Sequence, residues 1–184
     1  WGTPDSAAPC FLGGRSDALP LAGGYRFRIL GTRRPRAHLS RLWAGWREED
    51  AYDFSRQTLE REKNSVLTSE VVRSELEDRA PQRVRRGRRV VAEGLDLTEK
   101  LRAAGFDVWV IDDVPQPVLA ASAADYHLDP SRVYGVHNST EGARMGAGVL
   151  KPVPTRGGKT EALQSLRGRP AALAFGRAMA DLDL

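Results

Sequence analysis

The stretch that most limits how this chain can fold lies between residues 101 and 113. A helical pattern closes at Gly105. Phe106, Val108, Trp109, Val110 and Ile111 then form an apolar burst, which Asp112 and Asp113 stop just before Pro115. A short apolar run set between two helical patterns is the mark of a buried parallel strand. In open α/β sheets ligands gather beyond the carboxyl ends of such strands, so the search for function starts at Asp112 and Asp113.

The segments around this strand repeat the alternation. The pattern predicts a helix over 97–104 capped by Asp96, a strand over 108–111 and a helix over 116–126. It continues with a strand over 132–136, a Gly-rich hairpin over 138–149, a helix from Gly158 to residue 166 and a strand over 171–175. Strands separated by helices of this length imply a parallel sheet with right-handed crossovers. The fold class is therefore α/β, a parallel sheet with a helical insertion.

Upstream, residues 1–36 carry Gly pairs and four prolines with little periodicity, apart from a short alternating run over 25–29. They read as an irregular N-terminal segment. Residues 37–82 read as a helical, cap-like subdomain. Leu39, Leu42, Trp43 and Trp46 share one helical face, a second helix runs over 52–63, and a third begins near Thr68 with Val71, Val72 and Leu76 at helical spacing. Residues 83–184 form the α/β core. The five arginines at 83, 85, 86, 88 and 89 read as a solvated linker or helix end. They also leave open a grip on a phosphate backbone, which makes an Arg-rich nucleic-acid-binding protein one alternative.

Composition narrows the rest. The chain has 184 residues, 41% of them apolar, enough for a core, and no apolar run approaches the ~20 residues that span a bilayer. No membrane partner is expected, and a cytoplasmic location fits, with a periplasmic or secreted one open after processing. The first residue is Trp1, which reads as a processed chain or an excerpt of a longer one. The lone Cys10 excludes an internal disulfide. The basic residues are 24 arginines and four lysines, for a net charge of +4. Arg serves phosphate and carboxylate contacts, and an Arg-favouring genome gives the same skew. His38, His127 and His137 lack metal-ligand spacing.

Taken together, residues 101–112 with Pro115, Gln116 and Pro117, then 132–136, then Gly157, Gly158 and Lys159, then 172–176 with Asp181, resemble the haloacid dehalogenase-like phosphatase superfamily. The branch is that of phosphoserine phosphatase and phosphocholine phosphatase-like hydrolases. The resemblance implies an Asp nucleophile and an Asp acid/base two residues later, a Ser or Thr and a Lys on the phosphoryl oxygens, and acidic residues holding Mg²⁺. Lys159 and Asp112 then stand at catalytic positions and Asp181 at a metal position, and a small phosphorylated ligand is the partner implied.

Against that pattern the chemical positions are altered. No Asp-x-Asp strand precedes residue 101 in the required setting. Asp112 stands where the family has Ser or Thr, and its carboxylate repels phosphate oxygens. Asp113 does not restore the first motif. Arg177 and Ala178 replace a metal-binding Asp and its neighbour, and an Arg repels a metal ion. Arg177 is expected to pair with Asp112 or Asp113, and Asp112 and Lys159 to face one cleft.

Relatives thus use Mg²⁺, and this chain is expected to bind none. The leading expectation is a catalytically inactive relative acting as a binding or scaffolding domain. The enzyme alternative is an active Mg²⁺-dependent phosphatase of a small metabolite whose nucleophile motif lies upstream. Trp43, Trp46, Tyr52 and Phe54 are candidates to enclose a trimethylammonium group by cation–π attraction, and they fit the small core of the helical subdomain better, because Trp43 and Trp46 share a helical face.

Overall fold

The computed structural model describes residues 37–73 and 81–176. The run over 25–29 and the positions of Arg177, Ala178 and Asp181 lie outside the described residues.

Helix α1 (Glu48–Asn64) forms where charge and apolar spacing agree. Glu48, Glu49 and Asp50 fill its first turn and Arg61 and Lys63 its last, complementing the helix dipole. Ala51, Ser55, Thr58, Leu59 and Glu62 make its buried stripe. That stripe packs on α3 (Gln116–Ala123), an apolar helix with Pro117 in its opening turn. Before α1, residues Ala37–Trp43 form a 3-10 helix.

Between these two helices the chain makes an antiparallel ribbon, β1 (Thr68–Val72) paired with β2 (Gln82–Arg86). Here the structure departs from expectation twice. The helix predicted from Thr68 is a strand, because Val71 and Val72 are β-branched and find strand partners in Arg83 and Gln82. The arginine run is a strand and its root, not a linker or a helix end.

Helix α2 (Ala92–Ala103) starts earlier than predicted, at a Val91 cap, and Asp96 lies inside it, paired with Lys100 at 2.7 Å. Gly105, at φ +83°, closes it, with the Phe106 N–H donating to the Leu101 carbonyl at 3.0 Å. Strand β3 (Val110–Pro115) begins later and runs further than predicted. Asp112 and Asp113 are therefore within the strand, where its register against β4 (Val133–Val136) shifts between Ile111 and Pro115.

The β3–β4 pair is parallel and α3 is its crossover. Leu119, Ala123, Leu128 and Val133 form the core, with Val108, Val110, Val114 and Tyr126 packed against it. Gly135 is required at the strand contact, since a Cβ there meets the Val114 carbonyl at 2.6 Å.

The predicted hairpin is present as β5 (Asn138–Glu141) and β6 (Arg144–Val149). It receives the 3-10 helix and the turn after it. The Asn138 Nδ2 donates to the Ser40 carbonyl at 2.9 Å, and Gly45 and Trp46 exchange backbone hydrogen bonds with Met145. Helix α4 (Gly157–Arg167) packs against β3. The strand predicted over 171–175 is not formed among the described residues. Leu173 and Phe175 stay exposed, 56% and 66%, with no strand partner there to bury them. The architecture is thus mixed α/β, with one small parallel and two small antiparallel sheets.

Candidate functional site

Strand β3 carries two of the residues that sequence reasoning singled out, Asp112 and Asp113. Asp112 and Asp113 are half-buried in the strand, and Asp112 folds back so that its Oδ1 accepts the Asp113 N–H at 2.6 Å. Gln116, at the start of α3, fixes the neighbouring strand: its Oε1 accepts from Gly135 N at 2.5 Å and its Nε2 donates to the Val133 carbonyl at 3.3 Å.

Lys159 stands on the first turn of α4 and is 8% exposed. Its position is set by a tight approach: Arg156 sits at φ +50°, Gly158 N donates to the Thr155 carbonyl at 3.0 Å, and a Cβ on Gly158 lies 1.9 Å from the Val153 carbonyl oxygen. Only glycine fits there. A buried ammonium is retained where oxygen atoms face it, and α4 packs on the strand that carries the two aspartates. A helix start and an ammonium side by side suit an anion.

Mg²⁺ asks for a shell of several hard oxygens. No group of three His, Cys, Asp or Glu gathers to hold a metal among the described residues.

His137 follows β4, its ring 4.9 Å from that of Tyr134. Burial pushes its pKa below the ordinary 6.5, and the Glu48 carboxylate opposes the shift in part. Burial also raises the Tyr134 phenol, whose hydroxyl donates to the Pro152 carbonyl at 3.1 Å. Because folding favours neutral His137, the unfolded chain binds the proton first. Its contribution is whole above pH 6.5 and is lost as pH falls below that value. Urea midpoints measured between pH 7.5 and 4.5 are expected to fall with pH, and His137→Asn to flatten the decline. An identical slope in the variant assigns the effect elsewhere.

At the opposite end of the strands Trp109 lies between two guanidinium groups, Arg132 at 5.3 Å and Arg167 at 5.8 Å from the ring centroid. Asp107 joins both, pairing with Arg132 and with Arg167 at 2.6 Å. The Asp107 carboxyl is held below its usual range, first by the Trp109 indole N–H and then by these arginines, with burial opposing. The indole nitrogen is buried, and its approach to the carboxylate falls outside ordinary hydrogen-bond geometry. This clamp ties the C-terminal turn of α4 to the sheet and was not anticipated from sequence. An aromatic flanked in the chain by acids gives no sign of which arginines reach it.

The aromatic candidates separate. Trp43, Trp46 and Phe54 pack edge to face with centroids 5.2, 5.6 and 5.8 Å apart. Rings that enclose a cation each stand within ~6 Å of it on different sides. These three fill that space with each other. They form a small cluster without Tyr52, and Trp46 and Phe54 stay exposed in it. Tyr52 instead lines a separate groove of about 370 Å³ with Glu48, Glu49, Gln116 and Pro117.

The arginine run is largely engaged within the chain. Arg86 lies 3.9 Å from buried Glu62 and 3.8 Å from Glu70, Arg88 pairs with Asp125, and Arg89 donates to the Lys63 carbonyl at 2.9 Å. Among the described residues no helix is long and apolar enough to cross a membrane.

No family model matches the chain, and no curated protein matches it. Among solved structures the chain is similar to a conserved functionally unknown protein from Anaerococcus prevotii DSM 20548, with a TM-score of 0.61 at 21% identity. The match covers 68% of this chain and 36% of that one, so this chain spans little more than a third of its neighbour's length. At that identity the likeness carries the fold alone, and the mixed α/β fold is what the two proteins share.

Proposed function

We propose that the chain is a haloacid dehalogenase-like domain, with the Rossmann-like sheet of that superfamily, which keeps the anion-facing corner of a phosphomonoesterase but not its turnover. It acts as a binding or scaffolding domain. The observation that supports this reading is Lys159, buried on the first turn of α4, a helix that packs on the strand carrying Asp112 and Asp113. In this reading Lys159 and the helix start attract an anion, while Asp112, standing where the family has a hydroxyl, opposes phosphoryl oxygens.

The purified chain is expected to hydrolyse neither p-nitrophenyl phosphate nor phosphocholine in the presence of Mg²⁺. Turnover that disappears in Lys159→Ala overturns the proposal. Turnover that survives in that variant identifies a contaminant.

The active-phosphatase reading draws on one observation of its own. β3 carries Val110, Ile111 and Val114, yet Val110 to Val114 are only half-buried, and β4 is its one strand neighbour among the described residues. A nucleophile-bearing strand fits beside it. Under that reading, fusing an apolar strand ending in Asp-x-Asp upstream restores Mg²⁺-dependent hydrolysis.

A further inference from the structure

Beside the Trp109 clamp, at the end of α4 away from Lys159, lies a pocket of about 380 Å³ that the reading above does not use. Its size is at the lower end of the ~300–1,000 Å³ of small-molecule pockets. The floor is apolar, made by Phe106, Val108 and Leu128. Leu128 is buried. Phe106 stays 45% exposed although its backbone is pinned, its N–H donating to the Leu101 carbonyl directly after the Gly105 stop. An apolar body set against that ring takes it out of water.

The rim is charged, and part of that charge is already matched. Asp107 takes both Arg132 and Arg167, and Arg169 adds to their pull. Arg102 and Asp129 are left over. Arg102, in the last turn of α2, donates to the neutral His127 carbonyl and keeps most of its N–H donors open. Asp129 caps the 3-10 turn Pro130–Arg132 by accepting the Ser131 N–H at 2.8 Å, and a carboxylate has acceptor sites beyond that one. Its carboxyl is held below the usual range, first by the Ser131 side chain and N–H and then, with burial opposing, by Arg132, so it is ionised at neutral pH. Arg102 and Asp129 both line the pocket, and among the described residues no ion pair holds either of them.

We infer that this pocket binds a free α-amino acid with an apolar side chain, its carboxylate on Arg102, its ammonium on Asp129 and its side chain on Phe106, Val108 and Leu128. A guanidinium and a carboxylate that share a pocket without pairing match the two opposite charges of such a ligand, each through a charge-assisted hydrogen bond. A simple anion is the poorer fit. It faces Asp107 and Asp129, while Arg132 and Arg167 are already taken by Asp107. A simple amine meets the same difficulty with the sign reversed, since Arg102 and Arg132 line the pocket too. The site is separate from the Lys159 corner and does not rest on an anion binding there.

The test is an NMR titration of the isotope-labelled full chain with L-leucine. Its counterparts are isocaproate, which lacks the ammonium, isoamylamine, which lacks the carboxylate, and glycine, which lacks the apolar side chain. Leucine is expected to bind, with shifts gathered in 102–108 and 127–132, and each analogue to bind about tenfold more weakly or worse. Arg102→Gln and Asp129→Asn are each expected to weaken leucine by a similar factor, and the Asn oxygen still accepts the Ser131 N–H, so the turn is kept. Both positions are exposed, so thermal midpoints should stay put. If one moves, the analogue series on the unaltered chain decides. No saturable shift with leucine, affinity for isocaproate or isoamylamine equal to that for leucine, or saturable shifts outside those two segments overturns the inference. Hydrolysis of phosphate esters, which counts against the reading above, has no bearing on any of these outcomes.

Discussion

Gly158→Ala is expected to destabilise the protein by about 3 kcal/mol, whereas Gly157→Ala, one position earlier, stays within about 0.5 kcal/mol. The contrast rests on space. A Cβ on Gly158 lies 1.9 Å from a backbone carbonyl oxygen, which cannot swing aside as a flexible side chain does, while a Cβ on Gly157 meets nothing within 4 Å. The clash must be relieved by moving the 153–156 turn or the start of α4, and either shift displaces buried Lys159. For a chain of this size the change amounts to roughly 6–12 °C in thermal midpoint. Melts followed by circular dichroism check it. Indistinguishable midpoints for the two variants refute the close approach.

The second large effect concerns Asp125. Its carboxylate, 12% exposed, holds Arg88, 14% exposed, and lies 3.2 Å from Lys63. Removing one partner of a buried pair leaves the other desolvated and unmatched, which costs about 3–5 kcal/mol, more than the intact pair contributes. Asp125→Ala is therefore expected to lose stability on that scale, and Asp125→Ala combined with Arg88→Met to recover a good part of it. A double variant as unstable as the single one shows that the loss comes from somewhere other than the stranded guanidinium. Arg88 also anchors the root of the β1–β2 ribbon, so amide exchange in 82–88 should quicken in the single variant ahead of exchange in β4.

What could be read from sequence follows the range of the forces involved. Local patterns gave α1, the Gly105 stop, the β4 strand, the β5–β6 hairpin and the α4 start, because apolar spacing, a C-cap glycine and a Gly-rich turn act within a few residues. Val71 and Val72 misled because their spacing suits a helix as well as a strand. Their true partners, Arg83 and Gln82, are joined to them by a turn and not by any local period. The 171–175 run is as apolar as a buried strand, but a strand needs a neighbour to bury it, and none is present among the described residues. At the candidate site, the helix start that carries Lys159 was legible. The Trp109 clamp was not, because Arg132 and Arg167 are 23 and 58 positions further along the chain.

The attachment of the 3-10 helix to the β5–β6 hairpin also orders events during synthesis. The hydrogen bonds from Asn138 to Ser40 and from Arg144 to Gly45 join residues 98 and 99 positions apart. At ~5–20 residues per second, the ribosome releases the earlier partner some 5–20 s before the later one emerges. Through that interval Leu42, Trp43 and Trp46 have α1 and Phe54 to lean on but no hairpin to dock against. Nascent chains stalled before residue 150 should thus recruit holding chaperones through this segment, and chains stalled far enough beyond it should let them go.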